Sequence, residues 1–160
     1  MAATFAWIEY LANATATATP TNLNFGSTIT ANLAPSTFPI TAGTYSYEKW
    51  VTTQYTGSFT RIENIQFWKS AGAYVSAEQI NFTGQIITYA VPTTSSSTYA
   101  AAAVATSDPG TSNVSIGGSL TGSLVATGAS DFLVLQTSVG SGASAGAVNQ
   151  KTFTLQYDEV

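Results

Sequence analysis

The sequence predicts an all-β protein, an antiparallel β-sandwich with an extended N-terminal arm. Apolar and polar residues alternate in successive runs, and turn-forming residues separate these runs at roughly ten-residue intervals. Apolar residues make up 44% of the chain and aromatic residues 12%, which is enough to fill one packed core. Roughly eight such strands with almost no helix favour a jelly-roll topology. We divide the chain into an arm, residues 1–20, and a β-sandwich domain, residues 21–160.

The first twenty residues leave two interpretations open. Residues 4–10 (TFAWIEY) are aromatic and β-prone, whereas residues 13–20 alternate small side chains that offer little to bury. One interpretation is a flexible arm that docks an apolar tip on another protein. The other is an N-terminal edge strand of the domain, followed by a loop. In the first case the contact residues are Phe5, Trp7, Ile8 and Tyr10.

The first half of the domain predicts a long hairpin. Residues 21–30 alternate around Leu23 and Phe25, which favours a strand, and the prolines that follow confine the next segment to an edge or an irregular crossing. Residues 44–55 and 58–70 then alternate on either side of Gly57. We therefore expect these two long strands to pair with each other.

The middle of the chain predicts shorter elements. Two short strands are expected at residues 74–80 and 85–91. Residues 99–106 (YAAAAVAT) are the only candidate helix, because alanine has the highest helix propensity. Residues 113–124 resemble a strand interrupted by glycines.

The last two strands are predicted to form a terminal hairpin. Residues 131–139 (DFLVLQTSV) are a nearly continuous apolar run, which is typical of a strand buried on both faces. Residues 149–159 alternate, with Phe153, Leu155 and Tyr157 on the inner face. The glycine-rich segment between these runs is the expected loop.

The ionisable residues argue against catalysis. The chain has no histidine, no cysteine and four basic residues against eight acidic ones. Most acid–base and nucleophilic chemistry near neutral pH uses histidine, cysteine or a perturbed lysine, and zinc sites need histidine or thiolate ligands. A glycosidase would need two carboxylates facing each other across a cleft, but turns, strand ends and cross-strand pairs account for the carboxylates more simply. We therefore predict no enzyme activity, no catalytic residue, no metal site and no cofactor.

The charge of the chain bears on its partners. The net charge is −4, and the four cations are scattered, which excludes nucleic acid and an anionic membrane as partners. No apolar run reaches the length that spans a bilayer. Only 8% of the residues are charged, against about a quarter in typical domains. Such a surface is expected where other subunits cover it, because interface cores are depleted of charge. The alternative is a secreted β-domain with a surface rich in serine and threonine.

Six aromatic residues in the strands have two interpretations. They could form a platform on which a sugar stacks, or they could belong to the core or to a subunit interface, which is more common. These residues are Tyr45, Tyr47, Trp50, Tyr55, Trp68 and Tyr74.

Four short segments carry a family resemblance. They are SYEK at residues 46–49, NIQFWKSAG at 64–72, DFLVLQ at 131–136 and YDE at 157–159. In this order and spacing they resemble the head decoration, or cement, proteins of tailed bacteriophages, over residues 21–160. No segment is catalytic, and none specifies a contact position.

The resemblance implies a non-enzymatic virion protein located on the outer capsid surface. Its expected partners are the major capsid protein and copies of itself, as a homotrimer in preference to a dimer. It would cement neighbouring capsomers against the pressure of the packaged DNA. A phage tail or baseplate module and a carbohydrate-binding β-sandwich are the alternative functions.

Overall fold

The computed structural model describes residues 2–14, 16–17, 19–75, 77–143 and 149–160. These residues form nine β-strands, and none of them lies in a helix. The strands are β1 (Thr4–Tyr10), β2 (Ala16–Thr17), β3 (Lys49–Thr56), β4 (Ile62–Ala71), β5 (Glu78–Ile86), β6 (Ala102–Ala103), β7 (Gly128–Ala129), β8 (Phe132–Val139) and β9 (Thr152–Glu159).

The strands form two antiparallel sheets. The larger has seven strands in the order β2-β1-β3-β8-β5-β6, with β7 pairing beside β3. The smaller contains β4 and β9. The all-β class and the antiparallel pairing are therefore confirmed, whereas the jelly-roll topology stays a prediction.

Side chains from both sheets meet in one main core. Phe67 of β4 stacks on Phe153 of β9 at 5.3 Å between ring centroids and contacts Phe82 of β5 at 5.0 Å. Tyr157 of β9 meets Tyr55 of β3 edge-on at 4.8 Å. Burying each such aromatic side chain contributes about 1.5–3 kcal/mol, so these contacts hold the two sheets together.

A second, smaller core lies on the other face of the large sheet. Its centre is Trp50, which is fully buried and packs edge-on against Tyr99 and Phe132. Strand β8 contributes to both cores, since Leu133 and Leu135 are buried in the main core and Val134 in the second. The prediction of a strand buried on both faces is confirmed.

Both predicted hairpins are wrong. β3 pairs with β1 and β8, while β4, which follows it along the chain, pairs with β9 in the other sheet. β8 pairs with β3 and β5, not with β9. Alternation of side chains specifies which face of a strand is buried and not which strand lies beside it.

The predicted helix at residues 99–106 is also wrong. Ala102 and Ala103 form β6, paired with Phe82 and Asn81 of β5, and the Val104 N–H donates to the Ile80 carbonyl at 3.0 Å. Upstream, the Ser97 hydroxyl accepts the N–H groups of Tyr99 and Ala100. Pairing with the sheet edge thus overrides the helix propensity of alanine.

Residues 19–48 contain no strand, which corrects the one predicted at 21–30. Leu23 and Phe25 still pack against the main core. The segment is held by scattered bonds, among them Tyr47 N–H to the Gly26 carbonyl at 3.0 Å. Residues 113–124 likewise form only bridges, Ile116 with Ser119 and Leu124 with Ile62.

The N-terminal segment is a strand of the large sheet. β1 pairs with β3 in continuous register from Thr4 opposite Thr56 to Tyr10 opposite Trp50. The edge-strand interpretation therefore describes residues 4–10, and a free arm over these residues is not confirmed. Of the segment that follows, residues 15 and 18 lie outside the described residues.

Candidate interaction surface

All four cations are engaged within the fold. Lys49 Nζ lies 2.6 Å from Glu9 Oε1 and 2.8 Å from the Thr30 carbonyl, and the side chains of this ion pair are almost fully buried. Lys151 Nζ lies 2.5 Å from a carboxylate oxygen of Glu78. Lys69 donates to the Gly72 carbonyl, and Arg61 pairs with Glu63 at the surface. The described residues therefore leave no basic cluster for an anionic partner.

Each of the eight carboxylates also has a partner within the fold. Three pair with cations, and the others accept hydrogen bonds from backbone or side-chain groups of the fold. These five are Glu48 (from Trp50, Thr93 and Ser97), Asp108 (from Gly110), Asp131 (from Ser115 and Gly118), Asp158 (from Asn64) and Glu159 (from Ala3). Within the described residues no three acidic groups lie close enough together to hold a metal ion.

A buried polar network connects β8 to the start of β3. The Gln136 amide donates to the Ser46 carbonyl at 3.0 Å and to the Ser95 carbonyl at 2.8 Å, and its oxygen accepts the Ser97 N–H at 2.8 Å. The Ser97 hydroxyl donates in turn to Glu48. Because buried polar groups are costly unless they are paired, this network fixes the 93–100 segment against the sheet.

A second junction joins β4 to β9. Asn64 adopts a left-handed backbone conformation, φ 53°, at a bulge in β4, and its amide donates to Asp158 at 3.0 Å. At the other end, Gly72 has φ 84°, and a Cβ there would lie 2.2 Å from the Gln150 carbonyl oxygen. Only glycine fits that position.

The four segments singled out in the sequence thus meet in two pairs. Segment 46–49 contacts segment 131–136 through the Gln136 network and through the register of Lys49 opposite Leu135. Segment 64–72 contacts segment 157–159 through the Asn64–Asp158 hydrogen bond, and both segments lie on paired strands, β4 and β9. The residues that make these contacts hold distant parts of the fold together.

The four predicted contact residues lie on β1, and all are partly buried. Phe5 packs against Tyr55 with ring centroids 5.8 Å apart, and Trp7 packs edge-on against Phe67 at 6.1 Å. Tyr10 belongs to the second core. Ile8 is half-buried on the same strand. Aromatic side chains of β1 therefore stabilise the fold itself, and a role of these four residues in contacts with another protein stays a prediction.

The six aromatic residues of the possible sugar platform do not share one surface. Trp50 and Tyr55 are fully buried, in different cores. Burial raises the pKa of the Tyr55 hydroxyl above its ordinary value. Sequence reasoning missed the large apolar side chains that are exposed, because single exposed positions in loops carry no periodic signal. They are Phe38, Ile87, Val91, Val125 and Val160.

No family model, no curated protein and no solved structure matches this chain. The described residues contain no helix long and apolar enough to cross a membrane.

Proposed function

We propose that this protein is a non-enzymatic virion component that binds the outer surface of a bacteriophage capsid and cements neighbouring capsomers. In this proposal the two sheets are the layers of a β-sandwich, with jelly-roll topology. The partners are the major capsid protein and further copies of the chain. No cofactor and no reaction is involved.

The observation that carries the proposal is the pairing of the four segments. Chance similarity of short motifs gives no reason for them to contact each other. Here segments more than eighty residues apart in the chain are joined by hydrogen bonds, such as the one from the Gln136 amide to the Ser46 carbonyl. This arrangement supports a resemblance based on a shared fold.

The distribution of charge supports the same function. The ion pairs Lys49–Glu9 and Lys151–Glu78 are almost fully buried, so few charged residues are exposed; they are Arg61, Asp108, Asp158 and Glu159. A subunit that covers a neutral seam avoids the cost of desolvating unpaired charges. Such a surface suits extended contact with protein better than recognition of an ionic ligand.

The mechanism follows from mass action. A shell opens where neighbouring subunits separate, and a clamp bound across that seam adds its binding free energy to the cost of opening. Because it binds the assembled lattice and not the free subunits, it stabilises the assembly. Many copies act together, so each site needs only modest affinity.

The test is the thermal disruption of capsids lacking this protein, measured with and without added purified chain. We expect saturable binding and a higher disruption temperature. The matched control is the same protein added to capsids of an unrelated phage. Unchanged stability at saturation would contradict the proposal, as would labelling of intact virions that places the chain in the tail.

A further inference from the structure

Within the part of the chain that the structure describes, strand β9 has a neighbouring strand on one side only. Among the described residues it pairs only with β4. Backbone groups of successive residues in an antiparallel ladder point alternately to the two sides. The Phe67 N–H of β4 donates to Asn113 Oδ1, and the Lys69 N–H donates to the Ala105 carbonyl, both at 2.8 Å. The backbone groups of these two residues therefore point away from β9.

The register then identifies the free groups of β9. Phe67 and Lys69 lie opposite Leu155 and Phe153. Since opposed residues share the same orientation, the N–H and C=O groups of Phe153 and Leu155 point away from β4, and those of Tyr157 follow by alternation. These groups form a row of donors and acceptors along the open edge.

Within the described residues, the stretch 152–157 of this edge lacks the usual protection against pairing. Natural proteins guard open edges with lysine, proline, inward charges or covering loops. Residues 152–157 (TFTLQY) contain no charge and no proline. The edge of β1, by comparison, is partly covered, because β2 pairs with Glu9 and Tyr10. An edge without such protection is expected to pair with a further strand when the protein is assembled.

The charges at one end of β9 determine the orientation in which a second copy of this chain could pair with it. Asp158 and Glu159 both lie at the C-terminal end of β9. Parallel pairing of two copies would bring these carboxylates together, whereas antiparallel pairing separates them to opposite ends. We propose that β9 pairs in antiparallel orientation with β9 of a second copy of this chain, about a twofold axis at Leu155.

Among the registers that oppose outward-pointing residues, the one centred on Leu155 pairs Phe153, Leu155 and Tyr157 all at once. Leu155 faces Leu155 of the second copy, and Phe153 faces Tyr157, as hydrogen-bonded pairs. Thr154 faces Gln156 as a non-hydrogen-bonded pair. A twofold interface is isologous and closes as a dimer, so this inference selects the dimer over the trimer favoured by the resemblance. It does not depend on binding to a capsid.

The first test is a disulfide bond between copies. Cα atoms in a non-hydrogen-bonded pair lie about 4.5 Å apart, within the range that a disulfide spans. The chain has no cysteine of its own. The variant Thr154→Cys with Gln156→Cys should form a covalent dimer under mild oxidation, at twice the 16.6 kDa of the chain. The matched control Gln156→Cys, whose thiol faces Thr154, should stay mostly uncrosslinked.

The second test exchanges charges at the same positions. With Thr154→Lys and Gln156→Lys, lysines face each other across the interface, and we expect the dimer dissociation constant from analytical ultracentrifugation to rise at least tenfold. With Thr154→Lys and Gln156→Glu, opposite charges face each other, and affinity should return. Thermal melting of each variant checks folding. A monomeric native chain, or a dimer insensitive to both exchanges, would overturn the proposal.

A third measurement needs no substitution. In the unmodified chain the amide hydrogens of Phe153, Leu155 and Tyr157 should exchange more slowly as protein concentration rises and dimer forms. Fast exchange of all three amides in a chain that sediments as a dimer would place the interface elsewhere and overturn the proposal. Because none of these tests uses a capsid, their failure would leave the capsid assay intact.

Discussion

Replacing Gln136 by alanine tests whether the buried polar network holds the fold. The residue is 1% exposed, and its side chain bonds to four backbone groups, the Ser46, Thr93 and Ser95 carbonyls and the Ser97 N–H. The variant leaves the Ser97 N–H and the Ser46 carbonyl buried without partners. Each such group costs about 1–3 kcal/mol. Loss of the buried methylene adds about 0.8 kcal/mol.

We therefore expect Gln136→Ala to lower the free energy of unfolding by about 3–7 kcal/mol. Denaturation in urea, monitored by tryptophan fluorescence, measures this value through the midpoint and slope. The melting temperature should fall by about 10 °C in a domain of this size. Gln79→Ala, at an exposed position of β5, is the matched control and should change stability by no more than about 0.5 kcal/mol. A loss below about 1 kcal/mol for Gln136→Ala would refute the reasoning.

Four further outcomes follow from the packing. Deleting residues 1–12 removes β1 with its seven-residue ladder, so we expect a broad, uncooperative melting transition; an unchanged melting curve would restore the free-arm interpretation. Lys49→Met leaves Glu9 buried without its cation and should cost about 3–5 kcal/mol in urea denaturation, much of which Glu9→Leu in the same chain should recover. Leu135→Ala empties part of the main core and should cost about 2–5 kcal/mol; near-zero change would contradict its placement. Burial raises the pKa of Tyr55 above its ordinary value of 10.0, so the stability this group contributes is complete below pH 10 and is lost as pH rises further. Tyr55→Phe should accordingly lose less stability above pH 10 than the native chain, by up to about 1.4 kcal/mol per pH unit, whereas equal losses would contradict the assignment.

The sequence predicts individual strands better than their partners. The apolar run at residues 131–139 identified β8 and its burial on both faces, because continuous hydrophobicity follows directly from two covered faces. The pairing partners of the strands are not predictable in this way. Apolar and polar residues alternate in β3 and β4 as they would in a hairpin, yet the two strands lie in different sheets. Strand order depends on contacts between distant segments, which no local pattern records.

The same limit applies to the candidate interaction surface. The aromatic residues of β1 were correctly identified as β-prone, but their packing against Tyr55 and Phe67 depends on where β1 lies in the sheet. The open edge of β9 cannot be predicted from the sequence. It is open because, among the described residues, β9 has only one neighbouring strand, and strand neighbours leave no local pattern. The alanine run at residues 99–106 shows that strand pairing can override local propensity. Alanine favours a helix, but residues 102–103 pair with β5 at the edge of the sheet and form β6.

The most direct measurement of the proposed function is a reconstruction of the intact virion by electron cryomicroscopy. We expect density that fits the two-sheet fold on the outside of the shell, lying across seams between capsomers. Density for this chain confined to the tail, or a complete shell with none bound, would contradict the account.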